Sequence, residues 1–412
     1  MSSDAVVLLG AGAILLIVSV SGRLERVWLT EPLVATALGV TVGLLLIDEF
    51  ALESPITLVA LELTLALVLF SDASRIDLSR LRDGYSWPLR MLVIGMPIAI
   101  LLGTMVAGTY LGLPFGVALL LGVILAPTDA ALAEPVLASR LVPERVRQTL
   151  NAESGLNDGL AVPVLLFAIG IIEAEEGASA ASAVGLVVSQ LGIGIVGGLV
   201  LGWLGAKLIG KGTEKGWMNP LHQKIAAVAL AIAGFALVQL LGGSGFVATF
   251  IAGGLMRQLV RPRSEYQYEF VEGDGHVLVL LAFVIFGAGP GARILEDGVP
   301  LQALVVALIS LLLLRPMAIA LSLLGQHLKW RTVVFLGWFG PRGLATVVFG
   351  LVALEELGTV EPIVIDTVMV TVLLSIVAHG VSAVPMSRWL AGMRMTEDMP
   401  ESGEAFAHPT RR

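Results

Sequence analysis

From Val6 to Leu390 the sequence is a succession of apolar runs divided by short loops that hold most of its charge. A bilayer's hydrocarbon core takes about 20 helical residues to cross. Within it every backbone N–H and C=O must be satisfied inside the chain, which leaves helices or closed barrels as the spanning structures. Runs of this length and continuity predict an all-α polytopic membrane protein. Composition agrees, with 56% hydrophobic and 14% charged residues, against about 25% charged in a soluble domain. Mean hydropathy is +0.91.

The runs place about thirteen transmembrane helices. They fall at Val6–Ser21, Leu33–Ile47, Ile56–Phe70, Leu89–Leu111, Phe115–Leu137, Leu150–Ile172 and Ala183–Ile209, then at Ile225–Leu241, Phe246–Leu259, Val277–Ile294, Leu301–Leu324, Val333–Leu354 and Pro362–Leu390. The loops test the count, because Lys and Arg collect on the cytoplasmic side. Basic loops follow spans one (Arg23, Arg26), three (Arg75, Arg80, Arg82, Arg90), five (Arg140, Arg145, Arg147), seven (Lys207, Lys211, Lys215, Lys224), nine (Arg257, Arg261, Arg263) and eleven (Lys329, Arg331). The alternate loops are acidic or neutral: Asp48-Glu49, Glu173 to Glu176, Glu296-Asp297 and Glu355-Glu356, with Arg293 the lone cation on that side. The alternation puts the N-terminus outside and the C-terminus in the cytoplasm, in a cell membrane. Residues 1–395 read as one transmembrane unit and 396–412 as a short cytoplasmic tail. The start Met1-Ser2-Ser3-Asp4 lacks the basic stretch of a secretory signal. A net charge of -8 argues against nucleic acid as a partner, and the absence of cysteine excludes disulfides and thiolate chemistry. The five histidines are scattered singly, so no histidine metal cluster is expected.

Spans one to six and eight to thirteen are offset by seven, an odd number that reverses orientation, as in the inverted repeats of many secondary transporters. Span five is interrupted by Ala126-Pro127-Thr128-Asp129 and its counterpart, span twelve, by Gly340-Pro341-Arg342-Gly343. Spans four and eleven carry Met96-Pro97 and Arg315-Pro316. Proline lacks a backbone donor and clashes with the preceding turn, so each position should kink or break its helix. Matched breaks point to a binding site between the two six-helix repeats, where broken helices five and twelve cross at the midplane.

A charge at a bilayer's centre costs roughly 2.5–3.5 kcal/mol on insertion scales, so each one there needs a reason. The candidates are Asp72, Asp129, Glu134, Glu153, Asp158, Arg315, Arg342, Asp366 and His379. Ser154 and Asp158 are four residues apart and share one helix face; Glu153 and Asn157 share another. Glu153 should reach a neighbouring helix for a cation, with Arg315 the first choice and Arg342 the second, as a structural ion pair. The sequence offers Asp158 no dedicated partner, the competing reading being an ion pair with Arg342. A carboxylate in a polar cavity holds a cation or a proton, but not both well. Hard oxygen ligands for a monovalent cation come from Asp158, the Ser154 hydroxyl, the Thr128 carbonyl freed by the break, and Asp72. Asn157 can pin spans five and six together. Asp129 and Arg342 can compensate the ends of broken helices, Asp129 at a positive N-terminal end and Arg342 at a negative C-terminal end in span twelve.

Ala126-Pro127-Thr128-Asp129, followed by Glu153-Ser154-Gly155-Leu156-Asn157-Asp158-Gly159, resembles the cation:proton antiporter-1 family, the sodium/proton exchangers. Leu65 to Phe70, Arg315-Pro316 and Trp338 to Gly343 extend the resemblance over about Ile56 to Phe349. It implies a homodimer whose scaffold and mobile core domains are interleaved in sequence. The implied activity is antiport of a monovalent cation against protons, sodium first, with potassium and lithium as alternatives, and no cofactor. Asp158 would bind cation and proton in turn, with Ser154 and Thr128 as further ligands, Asn157 and Asp129 at the site, Asp72 acting through water, and Glu153–Arg315 as the structural pair. Asn157 before Asp158 marks the branch associated with electroneutral exchange. Ala130-Ala131, Ala152 and Ser71-Asp72 depart from the family's pattern and leave ion selectivity open.

Three other readings stand behind this one. A potassium efflux channel-like system would carry a nucleotide-binding tail, and no Gly-x-Gly-x-x-Gly follows a strand. An organic-anion carrier on the same inverted-repeat scaffold would be opposed by Asp129 and Asp158. An intramembrane hydrolase would need a base beside Ser154, and the one midmembrane histidine, His379, lies on span thirteen. The Gly192, Gly194, Gly197, Gly198 and Gly202 pattern of span seven reads as close helix packing.

Overall fold

The computed structural model describes residues 12, 15–17, 19, 30–45, 55–75, 86–177, 179–259, 266–392 and 401. Span one, the basic loop residues Arg23, Arg26, Arg80, Arg82, Arg261 and Arg263, the acidic pair Asp48-Glu49 and all of the 396–412 tail but Glu401 lie wholly or largely outside them. The described residues are helical with no strand. We label the helices α1 (Glu31–Leu45), α2 (Pro55–Arg75), α3 (Ser86–Tyr110), α4 (Phe115–Ile124), α5 (Ala130–Leu137), α6 (Glu144–Glu175) and α7 (Ala180–Glu214). There follow α8 (Pro220–Leu240), α9 (Gly245–Leu259), α10 (Tyr266–Phe286, running on through Gly287–Gly291 and Ala292–Glu296), α11 (Leu301–Ser322), α12 (Trp330–Trp338), α13 (Leu344–Leu357) and α14 (Pro362–Ala391). Every predicted span from the second to the thirteenth falls on a helix or a helix pair. Among the described residues seven helices are long and apolar enough to cross a membrane.

Proline acts in two ways. Spans five and twelve stop and restart, as α4/α5 and α12/α13, with Leu125–Asp129 and Phe339–Gly343 between the halves. Spans four and eleven continue: α3 contains a π-helical turn at Met91–Gly95, just ahead of Met96-Pro97, and α11 one at Ser310–Leu314, just ahead of Arg315-Pro316. The wider turn takes up the carbonyl that proline cannot serve, so these helices run on without a break. Pro290 sits within a third such turn, Gly287–Gly291 of α10.

The chain forms two compact units, Met1–Ser54 with Arg80–Asn157 and Leu280–Arg412, and Pro55–Ser79 with Asp158–Val279. In the second unit α9 packs on α7 and α2. A Cβ on Gly194 would lie 2.9 Å from Ser244 O, one on Gly198 2.6 Å from Ala248 O and one on Gly202 2.9 Å from Ala252 O, so these three glycines let α7 meet the α9 backbone. Gly197 faces Val238 of α8, and Gly192 faces open space. Phe70, Ile209, Ala231 and Met256 fill the core between these helices. In the first unit α1 lies against the π turn of α10, and Trp87, Phe335, Phe339 and Leu390 head a buried cluster. Glu401 caps α12: its Oε1 accepts Lys329 N–H at 2.8 Å and the Thr332 hydroxyl at 2.9 Å.

Gly198→Ala should therefore lower the thermal midpoint of the detergent-solubilised protein, by an overpacking cost of about 1–3 kcal/mol. Gly192→Ala, facing open space inside the helix, should instead leave the midpoint unchanged or raise it slightly in the same melt.

Candidate functional site

Each half-helix that stops inside the protein leaves up to four N–H or four C=O groups without an intrahelical partner. In the first unit the two breaks meet, with Asp129 N–H donating to Pro341 O at 2.8 Å. Asp129, 8% exposed, serves both N-terminal ends. Its Oδ1 accepts from Ala131 N at 2.8 Å and Leu132 N at 3.4 Å at the start of α5, and its Oδ2 accepts from Leu344 N at 2.7 Å at the start of α13. Gly343 precedes Leu344 because a Cβ there would overlap the Asp129 carboxylate. Arg342, 1% exposed, serves both C-terminal ends. Its Nε donates to Leu125 O at 2.6 Å, at the end of α4, and its Nη1 donates to Gly340 O, beyond the end of α12. The expected role at span twelve thus extends to span five. An anion lies between two helix N-termini and a cation between two C-termini, which is the favourable sense of the helix dipole at all four ends.

Beside this crossing lies a buried polar network. Arg315 holds Glu153 bidentately, Nη1 to Oε1 and Nη2 to Oε2, both at 3.0 Å. Glu153 Oε1 also faces Asn157 Nδ2 at 3.4 Å, and Oε2 the Thr128 hydroxyl at 3.3 Å. Four contacts match the four lone-pair sites of a carboxylate, so Glu153 has none to spare for a cation. The Thr128 side chain is the hub: its Oγ1 accepts from Asn157 Nδ2 at 2.6 Å and lies 3.0 Å from Ser154 Oγ. The sequence points to the Thr128 carbonyl as a ligand and to Asn157 as a pin between spans five and six; the structure joins the two residues through the Thr128 hydroxyl. A cavity of about 10 Å³ adjoins the network, lined by Gly95, Ala99, Ala126, Glu153, Asn157 and Arg315 among others, the room of a single water.

In the second unit Asp158, 5% exposed, is carried by α6, the helix that also bears Glu153, Ser154 and Asn157. Gly159 packs beneath the Phe250 ring. Asp72 lies near the end of α2, with Arg75 Nη1 at 3.9 Å from its Oδ1. Among the described residues no group of three or more His, Asp or Glu could hold a metal ion.

Two residues at the crossing carried no sequence signal that singled them out as partners of the break. Ser375 Oγ accepts Arg342 N–H at 2.6 Å, and His379 reaches Trp338 O at 2.9 Å. Their four-residue spacing on α14 is the pattern that could have found them.

A model of a family described as sodium/hydrogen exchanger, transmembrane, matches residues 11–389. The K(+)/H(+) antiporter NhaP of Alkalimonas amylolytica is 28% identical over 330 residues, covering 80% of this chain and 56% of that protein. The K(+)/H(+) antiporter NhaP2 of Shewanella oneidensis is 27% identical, covering 82% of this chain and 59% of that protein. This chain thus spans little more than half the length of these two relatives. The Na(+)/H(+) antiporter NhaP of Pseudomonas aeruginosa is 27% identical, covering 78% of each. Among solved structures, the sodium proton antiporter MjNhaP1 of Methanocaldococcus jannaschii superposes with a TM-score of 0.73 at 23% identity, over 92% of this chain and 100% of that one, a likeness of fold.

Removing one half of the buried ion pair strands the other. Arg315→Leu should cost about 3–5 kcal/mol in stability, and adding Glu153→Leu should recover most of that loss, as thermal unfolding of the two variants in detergent would show.

Proposed function

Since the chain belongs to the sodium/hydrogen exchanger family, we propose that it is a secondary antiporter that exchanges a monovalent cation for protons across a cell membrane. The observation that carries this reading is the burial of Asp158, 5% exposed on the membrane helix α6. A buried carboxylate at membrane depth is costly to keep and marks an ion pathway. Cation and proton compete for it, and alternating exposure to the two sides converts that competition into exchange. The Ser154 hydroxyl, one helical turn from Asp158 on α6, and the oxygens of Thr128 are further ligands. Asn157, at the Thr128 hydroxyl, and Asp129, at the crossing, belong to the site by shaping it, and Asp72 acts through water. Glu153 and Arg315 form the structural pair, and Arg342 offsets the helix ends. The Asn157-Asp158 order supports electroneutral exchange.

Sodium is the first candidate. Relatives named for sodium and for potassium lie at nearly the same identity, 27% and 28%, so identity does not choose between them. The alternating loop charge supports thirteen spans with the N-terminus outside and the C-terminus in the cytoplasm, and family resemblance supports a homodimer.

In proteoliposomes with an imposed pH gradient, external sodium or potassium should collapse the gradient, and Asp158→Asn should abolish the response while the protein still purifies as a folded species. Normal exchange by Asp158→Asn would falsify the mechanism. Repeating the assay with lithium, sodium and potassium ranks the cations, and an imposed membrane potential should not drive exchange.

A further inference from the structure

His379 lies in the middle of α14 and is 2% exposed. It touches the residues where α12 stops. Its Nε2 is 2.9 Å from Trp338 O, and its ring stacks on the Trp338 indole at 5.0 Å and 28° and meets Phe339 edge-on at 6.2 Å. On its other side Nδ1 is 2.8 Å from Ser375 O and 3.2 Å from Ser375 Oγ.

A neutral imidazole has one N–H and one acceptor nitrogen, and the neighbours decide which is which. Ser375 O lies inside a continuous helix, where the backbone N–H four residues on already serves it. Trp338 O lies in a helix's last turn, where no intrahelical donor reaches; Gly340 N–H supplies one bond at 2.8 Å, and the carbonyl has a second lone pair. With the proton on Nε2 the ring donates to Trp338 O, and Nδ1, which also faces Ser375 O at 2.8 Å, accepts from the Ser375 hydroxyl at 3.2 Å. The Ser375 oxygen in turn accepts Arg342 N–H at 2.6 Å. The bonds then run one way: Arg342 N–H to Ser375 Oγ, Ser375 O–H to His379 Nδ1, His379 Nε2–H to Trp338 O. Both edges of the break, Trp338 and Arg342, are fastened to one face of α14.

We propose that His379 is a positioning residue for the cation site. It touches no transported ion. It fixes the break of span twelve, and through it Arg342, whose guanidinium holds Leu125 O three residues before Thr128. Loss of the His379 donor lets the break relax and displaces the Thr128 oxygens, so cation affinity falls before turnover does. This rests on the antiport reading, with Thr128 as a ligand.

The test compares wild-type protein with His379→Leu, His379→Gln and Ser375→Ala in proteoliposomes, reading apparent KM for the cation and kcat separately. His379→Leu should raise KM about tenfold, the effect of one buried hydrogen bond, with a smaller change in kcat. His379→Gln, whose amide can donate to Trp338 O, should stay near wild type, and Ser375→Ala should raise KM in the same direction. Amide hydrogen exchange of Gly340, Arg342, Gly343 and Leu344 reads the fastening without transport, and should quicken about tenfold in His379→Leu. Unchanged KM and unchanged amide protection in His379→Leu overturn the assignment, as does equal impairment in the Leu and Gln variants, which would leave ring packing as the cause. Should His379→Leu fail to fold, unaltered KM and protection in Ser375→Ala overturn it. If wild-type vesicles show no exchange, the antiport reading fails by itself and amide protection alone decides on His379.

Discussion

The cost of an unsatisfied backbone group away from water governs this protein. A carbonyl or amide buried without a partner loses a few kcal/mol, and two broken helices multiply that penalty at four ends. One carboxylate and one guanidinium meet it. Asp129 accepts from the first turns of α5 and α13, and Arg342 donates to the carbonyls that end α4 and follow α12. Each side chain thus ties the two breaks together. Gly343 is the steric condition for this arrangement, and Ser375 and His379 fasten it to α14.

The same accounting separates the carboxylates. Glu153 has all its acceptor capacity engaged by Arg315, Thr128 and Asn157. Its protonation or cation binding would break a bidentate pair, which suits a structural lock. Asp129 is likewise bound to three backbone amides. Asp158, on the same helix as Glu153, is the carboxylate to which the family reading assigns the exchange.

Much of this was legible in the sequence because it follows from one-dimensional physics. Apolar run length marks helices, so the predicted spans from Leu33–Ile47 onward fall on α1 to α14. Proline marks where the backbone ladder fails, so Pro127 and Pro341 sit in real breaks. What proline does there depends on neighbours: Pro97 and Pro316 are absorbed by π turns, a three-dimensional solution no residue pattern announced. The site divides in the same way. Charged residues at membrane depth are conspicuous, and Glu153, Asp129, Arg315 and Arg342 stand out. Thr128's hydroxyl and Ser375 do not, since Thr and Ser inside a helix more often bond locally, as Thr371 and Ser387 do to carbonyls one turn back, and His379 stands out as a titratable group but not as a partner of the break.

Compensation at the crossing also bears on selectivity. Asp129 faces partial positive charge and Arg342 partial negative charge, so the four helix ends and two side chains form an assembly with little net field. Glu153 and Arg315 cancel as well. On the proposed mechanism Asp158 then supplies the one charge to be exchanged, and neutral oxygens from Ser154 and Thr128 complete the shell. On the same mechanism, discrimination between sodium and potassium would fall to the spacing of those oxygens, and the crossing of α4 and α5 with α12 and α13 positions Thr128. On that mechanism the fastening of the crossing by His379 and Arg342 would bear on the choice of ion, although neither residue would meet it.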